Sequence, residues 1–407
     1  MSLVLAAAIL LQTFAGLSLD QAQTAALSRS PDVAVANGKV AEQQALFNAA
    51  RASYGPALLG TYATSPQAGN QNQTVIQRLT TLGAQVTLGD LIAYSPAVAE
   101  TNASLRASQF DLVNAQRTER INVIDLYYTA LTARATLEAR RVALEGAQGD
   151  LRAAQLRYKN GDVPRLDQVR ASVSVAQAQA DLAKAQADAD NADAALATET
   201  GMQVAMLRTA SEPAADAPSV TMTPDSAVQL ALANRPEVAS ARESVAMEEH
   251  AVSVAKRGGF PVVTVNAGET SGFDTGVPVH GPSVNVNATY PVGGAAHDRV
   301  IAEQARLAQA QAQFAKTERA VTTEVGAAVR TYQAQTVGLA AAQRALTEAD
   351  AAFKATQIGY RNGASSSLDI ETARATYVQA LVAQISSLYA QQQAEATLQL
   401  LVGKTNA

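Results

Sequence analysis

One stretch of the chain occurs twice. Residues 137–201 and 339–403 align without a gap at a constant offset of 202. Leu137, Leu144, Leu151 and Tyr158 are spaced by seven, as are Leu339, Leu346, Phe353 and Tyr360. That spacing returns an apolar residue to one seam every two helical turns, the pattern of coiled-coil packing. Each run breaks at the same point, Tyr158-Lys159-Asn160-Gly161 and Tyr360-Arg361-Asn362-Gly363. A second helical stretch opens with Leu166-Asp167 and Leu368-Asp369, and both copies end on glycine, Gly201 and Gly403. Each copy reads as helix, tight turn, helix, with the turn glycine supplying backbone freedom. A repeat of this length is an internal duplication. It predicts two structural repeats, 17–210 and 221–407, joined by a linker at 211–220 that carries Pro213 and Pro218.

Composition limits what such repeats can build. Hydrophobic residues make up 48% of the 407, but much of that is alanine, and aromatics are only 4%. A chain of this kind makes long helices whose backbones approach closely rather than a thick globular core. Lys and Arg number 31 against 36 Asp and Glu, a net charge of −5, so no basic face of the size nucleic acid requires is present. The absence of cysteine excludes disulfides and thiolate metal sites. The apolar run 3–11, followed by Ala15-Gly16, has the pattern of a secretory signal peptide over 1–16, although no Lys or Arg precedes it. No stretch of 18 or more consecutive apolar residues is present, so no transmembrane helix is expected.

Leu17-Ser18-Leu19-Asp20 begins a short helix, and Ser30-Pro31-Asp32 restarts it, since proline suits the first helical turn and Ser or Asp caps it. Thr223-Pro224-Asp225 and Asn234-Arg235-Pro236-Glu237 repeat this pattern. The restarted helices are expected to run to about residues 52 and 257. The period then changes to two. Val284, Val286, Ala288 and Tyr290 alternate with Ser283, Asn285, Asn287 and Thr289, and Val263, Val265 and Ala267 with Thr264, Asn266 and Gly268. In the first half Ala84, Val86 and Leu88 alternate with Gln85, Thr87 and Gly89, and 56–64 is a weaker strand. Polar, turn-rich loops are expected at 67–74 and 273–282.

Each half therefore supplies one strand hairpin, four strands in all, with one apolar face and one small polar face. A barrel with lipid outside and water inside needs those two faces. Four strands do not close a barrel, and an open edge in lipid strands unpaired backbone groups. Sharing between chains resolves this: two chains give eight strands, three give twelve. Long helices are expected at about 96–160 and 295–362, with returning helices at 165–200 and 367–402.

No catalytic constellation is present, and the chain is not expected to be an enzyme. His250, His280 and His297 lack ligand spacing. Gly403-Lys404-Thr405 lacks the earlier glycine of a phosphate loop, Leu398 standing there. What remains is the pair of hairpin turns, flanked by Tyr158, Asp167, Tyr360 and Asp369. The plain reading has the aspartates favouring the N-termini of their own helices. The other has carboxylates brought together at a tip to form a charged constriction.

In order and spacing the chain resembles the TolC-like outer-membrane efflux family. The resemblance rests on Leu17-Ser18-Leu19-Asp20-Gln21-Ala22 with Ser30-Pro31-Asp32, on Asn234-Arg235-Pro236-Glu237, and on the turn Tyr290-Pro291-Val292-Gly293-Gly294. It rests also on the hairpins Arg157-Tyr158-Lys159-Asn160-Gly161 and Gly359-Tyr360-Arg361-Asn362-Gly363, and it covers about residues 17–403. It implies a mainly α fold with a small antiparallel β part. The long helical hairpins would form an α-barrel across the periplasm, with a belt of short helices. Four strands per chain would form a homotrimeric twelve-stranded β-barrel in the lipid of the Gram-negative outer membrane. The implied function is a passive exit duct of a tripartite efflux or type I secretion system, exporting small molecules or polypeptides and needing no cofactor. An inner-membrane transporter would drive it, and a periplasmic adaptor would dock at the helical tips. By position, Asp369 matches a ring aspartate of the periplasmic aperture, and Tyr360 and Asp167 match an inter-helix tethering pair. Two aperture positions depart from the family pattern: Ser365 replaces an arginine, and Thr372 replaces a second aspartate, with Glu371 adjacent. Asn160, Gly161, Asp162 and Val163 in one tip and Asn362, Gly363, Ala364 and Ser365 in the other match the adaptor-docking positions, although they are more polar than usual there. A periplasmic coiled-coil adaptor or scaffold without a barrel is the competing reading, but it has no use for strands with two such faces.

Overall fold

The structure is a computed structural model that describes residues 17–53, 57–68, 74–202, 222–274, 277–290 and 294–403. The expected signal peptide (1–16), the expected linker (211–220) and the turn residues 291–293 lie outside them. Among the described residues the first half supplies α1 (Leu19–Arg29), α2 (Pro31–Ser53), β1 (Ala57–Ala68), β2 (Thr74–Thr87), α3 (Leu88–Asn160) and α4 (Arg165–Thr200). The second supplies α5 (Pro224–Asn234), α6 (Pro236–Arg257), β3 (Val262–Asp274), β4 (Val277–Thr289), α7 (Ala295–Arg361) and α8 (Ser367–Leu401) in the same order. No described helix is long and apolar enough to cross a membrane.

Local chemistry sets the helix ends. Ser18 and Gln21 form a capping box at the start of α1, and Thr223 caps α5 with Pro224 in its first turn. Ser30 and Arg235 end α1 and α5 because a proline follows each and disfavours continued helix in the residue before it. Gly161 and Gly363 take φ of 85° and 77°, and Gly201 and Gly403 take 67° and 84°, all left-handed. Tip hydrogen bonding also recurs at the same offset: the Asp162 amide donates to Arg157 O at 2.9 Å, and the Ala364 amide to Gly359 O at 2.8 Å.

The four strands form one antiparallel sheet in the order β1-β2-β3-β4, which leaves β1 and β4 as its edges. The register pairs Leu82 with Gly60, Ala84 with Ala267, Val86 with Val265 and Val286 with Val265. These residues, with Leu58, Tyr62, Val263, Val284 and Ala288, therefore share one face. Gln85, Asn266 and Asn285 are paired on the other, where hydroxyls link Thr81 to Thr270 at 3.0 Å and Thr270 to Ser283 at 2.9 Å. The apolar face is uncovered: Leu58 is 90% exposed, Leu82 71% and Val284 73%.

Four sequence expectations change. The loop expected at 273–282 is mostly strand, since β3 reaches Asp274 and β4 begins at Val277. Likewise β1 extends to Ala68 and β2 begins at Thr74, so both ends of the loop expected at 67–74 are strand, and 69–73 lie outside the described residues. Pro278 and Pro282 lie in the span expected as a loop, yet they fall in β4, an edge where a missing N–H is tolerated. Helix α3 starts at Leu88 rather than near Pro96, which lies inside it, so Leu88 opens a helix instead of extending the strand face. Finally, the heptad leucines are only half-buried within one chain. Within the heptad stretch of α3, 137–160, the buried positions are instead Ala139, Ala147 and Ala154, small side chains that let two helix backbones come close.

The chain divides into two compact units, each drawing on both halves of the sequence. One comprises 35–114 and 236–319 and holds the sheet. Around it Ser240 donates to Asp111 at 2.6 Å and Arg106 Nε to Glu243 at 2.9 Å. The other comprises the described residues of 1–34, 115–235 and 320–407. Its core gathers Leu17 from just before α1, Ala22 and Ala26 from α1, Val123, Ile124, Tyr127 and Leu131 from α3, Leu196 from α4, and Tyr389 and Leu400 from α8.

Candidate functional site

The second unit also contains both hairpin tips, and the structure joins them by three contacts. The Arg157 guanidinium lies 4.6 Å from the centre of the Tyr360 ring, and its Nη2 donates to the Tyr360 carbonyl at 3.3 Å. Ser367 Oγ donates to Asp167 Oδ1 at 2.7 Å. Arg374 pairs with Asp150 and lies 5.0 Å over the Phe353 ring, which stacks on Tyr377 at 5.7 Å. Gly146 leaves the space that the Arg374 guanidinium fills.

The two aspartates matched by the duplication do different work. Asp369 is exposed and stays on its own helix, where its carboxylate accepts from the Ser366 amide at 2.8 Å and from Ser366 Oγ at 2.8 Å. The backbone N–H and then the hydroxyl of Ser366 hold that carboxyl below the usual range. Asp167 follows a Pro164 cap that has no side-chain bond to offer, and it reaches across to Ser367, with Arg170 at 3.9 Å. Among the described residues no Tyr360–Asp167 hydrogen bond forms within one chain. Tyr360 is engaged through its ring face and its carbonyl instead.

Glu371 is half-buried, and burial raises its carboxyl, with Arg170 opposing and Asp150 and Asp167 adding to the rise. Burial likewise raises Asp150, against the pull of Arg374. Thr372 is exposed and returns its hydroxyl to the Leu368 carbonyl at 2.8 Å. Asn160, Gly161, Asp162, Asn362, Gly363 and Ala364 are exposed, whereas Val163 and Ser365 are half-buried. The Ser365 amide donates to Gly359 O at 3.2 Å. Behind the tips a groove of about 630 Å³ runs between α3, α4 and α8, with Ala147, Val173, Leu368 and Val378 among its walls.

Arg157, Asp150, Ser367 and Arg374 make these contacts, and the duplication does not single them out. Their counterparts at the 202 offset are Gly359, Ala352, Arg165 and Ser172, each of a different residue type. The signal that finds them is divergence between copies beside the tips.

The described chain carries no arrangement of three or more His, Asp or Glu suited to a metal ion. It has a sheet with an uncovered apolar face and two open edges, and long helical hairpins tied at their tips. These are the parts of a channel-forming outer-membrane protein. The model of the outer membrane efflux protein family matches residues 23–202 and 227–404, and the chain belongs to that family. The chain is 26% identical over 388 residues to the pyoverdine export outer membrane protein OpmQ of Pseudomonas aeruginosa, covering 90% of this chain and 81% of that one. Its fold is similar to that of CusC, with a TM-score of 0.81 at 19% identity over 95% of this chain and 92% of that one. The outer-membrane protein VceC from Vibrio cholerae gives 0.78 at 20% identity, covering 95% and 96%. The protein is an outer-membrane exit duct of efflux systems, extending into the periplasm, and not an enzyme.

Proposed function

We infer that three chains assemble into one duct, gated at the hairpin tips and joined there by a periplasmic adaptor to an inner-membrane transporter. The observation that carries this reading is the sheet. Its apolar face is uncovered and its other face is lined with Thr, Asn, Gln and Ser, so it suits lipid on one side and water on the other. Its edges, β1 and β4, demand partners, because unpaired backbone in hydrocarbon costs several kcal/mol per group, by order of magnitude. A second and third copy supply them, and twelve strands close a water-filled barrel.

The test is the mass and conductance of the detergent-extracted protein. The expected species is close to three times the 42.2 kDa chain and opens small cation-selective channels in a planar bilayer. A monomer or dimer without channel activity rejects the shared barrel.

Cation selectivity arises at the aperture, where Asp369 of each chain supplies a carboxylate. Asp369→Asn separates charge from capping, since the amide oxygen still accepts from Ser366. The expected result is a severalfold fall in the cation-to-anion permeability ratio, read from the reversal potential in a salt gradient. An unchanged reversal potential removes Asp369 from the constriction. The exposed tip residues and the apolar wall of the adjoining groove, with Val173 63% and Leu368 53% exposed, form the surface offered to the adaptor.

A further inference from the structure

The two faces of the sheet exchange character toward its turn ends. The register places residues in rows that cross the strands. On the apolar face one row holds Val86, Val265 and Val286, and the next holds Leu58, Ala84, Ala267 and Val284. Two rows further toward the turns, the same face holds Tyr62, Thr80, Ser271 and His280. All four are exposed, Tyr62 by 68% and the His280 side chain by 75%. Glu269 comes from the row between, and its Oε1 lies 3.1 Å from His280 Nε2.

The other face changes in the opposite sense. Gln85, Asn266 and Asn285 share one row there, and Thr61, Thr81 and Thr270 another. The next row toward the turns is Ala63, Leu79, Gly272 and Val279, with no polar side chain. Apolar outside and polar inside is the pattern of a barrel in lipid. Both halves of that pattern stop at the same height.

The height fits the thickness of a membrane. His280 and Tyr290 stand ten residues apart at the same parity of β4 and its end. At about 3.3 Å per residue and a strand tilt of about 40°, they are separated by roughly 25 Å along a barrel axis, the height of the apolar band in outer-membrane barrels. Tyr290 and Phe260, both exposed, flank the helix end of that band, as aromatic residues do at a lipid boundary. A charged side chain on the lipid face is costly at mid-depth and tolerated near the interface. Glu269 meets that condition where the hydrocarbon ends beside it.

Given the shared barrel inferred above, we propose that the outer-leaflet hydrocarbon ends at the row Tyr62–Thr80–Ser271–His280, and that this row is a docking ring for phosphate-bearing lipid headgroups. Tyr62, Thr80 and Ser271 supply hydroxyl donors on three neighbouring strands, and phosphate oxygens accept from them. His280 engages Glu269, the carboxylate that would otherwise repel a phosphate. Beyond the row the strands stand clear of the lipid, with Ala63, Leu79 and Val279 turned to the mouth of the lumen.

The chain has no tryptophan, so a single introduced indole is the sole reporter of depth. Each full-length variant is reconstituted in phosphatidylglycerol vesicles whose lipids carry bromine at mid-chain. Val284→Trp and Leu82→Trp, at open outward positions, are expected to be quenched severalfold more strongly than Tyr62→Trp and Thr80→Trp. Val279→Trp is expected to escape the bromine and to be quenched by iodide from the water. Equal quenching of Tyr62→Trp, Thr80→Trp and Val284→Trp carries the hydrocarbon past the row and overturns the proposal while leaving the barrel standing. No quenching of Val284→Trp and Leu82→Trp removes the barrel, and the proposal with it. The headgroup is tested on the oligomer in detergent, which is expected to dissociate several degrees higher with added phosphatidylglycerol than with a phosphate-free galactolipid of the same chains. Tyr62→Phe, Thr80→Val and Ser271→Ala combined remove the hydroxyls, keep Glu269 with His280, and are expected to lose most of that difference. Equal midpoints with the two lipids, or an undiminished difference in the triple variant, overturn the docking ring.

Discussion

Gly268→Val is expected to abolish assembly of the duct. Gly268 and Gly83 face each other across β2 and β3, the pair of strands that joins the two repeats. A Cβ on Gly268 would lie 2.6 Å from Gly83 Cα and 2.5 Å from the Leu82 carbonyl oxygen, well inside contact distance. The obstacles are backbone atoms, which do not rotate away as a side chain does. The strain therefore has to open the β2–β3 ladder or shift its register, and a shift by one residue carries the apolar set to the polar face. Overpacking of a core costs about 1–3 kcal/mol, and a clash with backbone at the sheet centre falls at or above the top of that range. Gly60→Val is the control. It lies in edge strand β1 with Leu82 Cδ1, 3.9 Å away, as the nearest neighbour of an added Cβ, and the space is open. Oligomer that resists dissociation in detergent is expected for the wild type and Gly60→Val and not for Gly268→Val. Wild-type amounts of oligomer from Gly268→Val would mean that the two glycines are not a required close approach.

What the sequence made legible follows from what the duplication repeats. Both copies carry the tip glycines, the proline-started helices and the alternation of the strands. Those are the residues that fix local backbone, so the elements fall within a few residues of expectation over most of the chain. Strand length was less legible, because Pro278 and Pro282 mark loops by local chemistry and are tolerated here only by virtue of an edge position. Contacts between the two copies were not legible at all from the repeat. A contact between one copy and the other is made by unlike partners, so its residues are those where the copies diverge. Arg157 stands against Gly359, and Gly359 in turn lets Ser365 pack close. Asp167 and Asp369 are the same residue at the same position, yet Ser366 draws Asp369 into its own cap while Pro164 leaves Asp167 free to cross. The reading by resemblance placed Tyr360 with Asp167. Within one chain the contacts run from Tyr360 to Arg157 and from Asp167 to Ser367.

That rearrangement decides which substitutions should loosen the tip. Arg157→Ala combined with Asp167→Ala removes two of the three links between the hairpins and leaves Arg374 with Asp150 intact. The stacked guanidinium is worth about 1 kcal/mol at a partly exposed site. The hydrogen bond to the Asp167 carboxylate, whose side chain is 15% exposed, adds about 1 kcal/mol or more. Losing about 2 kcal/mol per chain moves a closed–open equilibrium on the order of 30-fold toward open, at 1.4 kcal/mol per factor of ten. The double variant is therefore expected to show a resting conductance in planar bilayers far above that of the wild type. Tyr360→Phe should leak little more than the wild type, because the ring face and the carbonyl that Arg157 uses are both retained. Tyr360→Ala keeps only the carbonyl and should fall between them. If Tyr360→Phe leaks as much as the double variant, the phenol hydroxyl holds the closed state through a bond to another chain, and the contact between Arg157 and the ring is secondary. If neither leaks, the gate is held elsewhere, and Asp150 with Arg374, the link that both variants keep, is where the closing force resides.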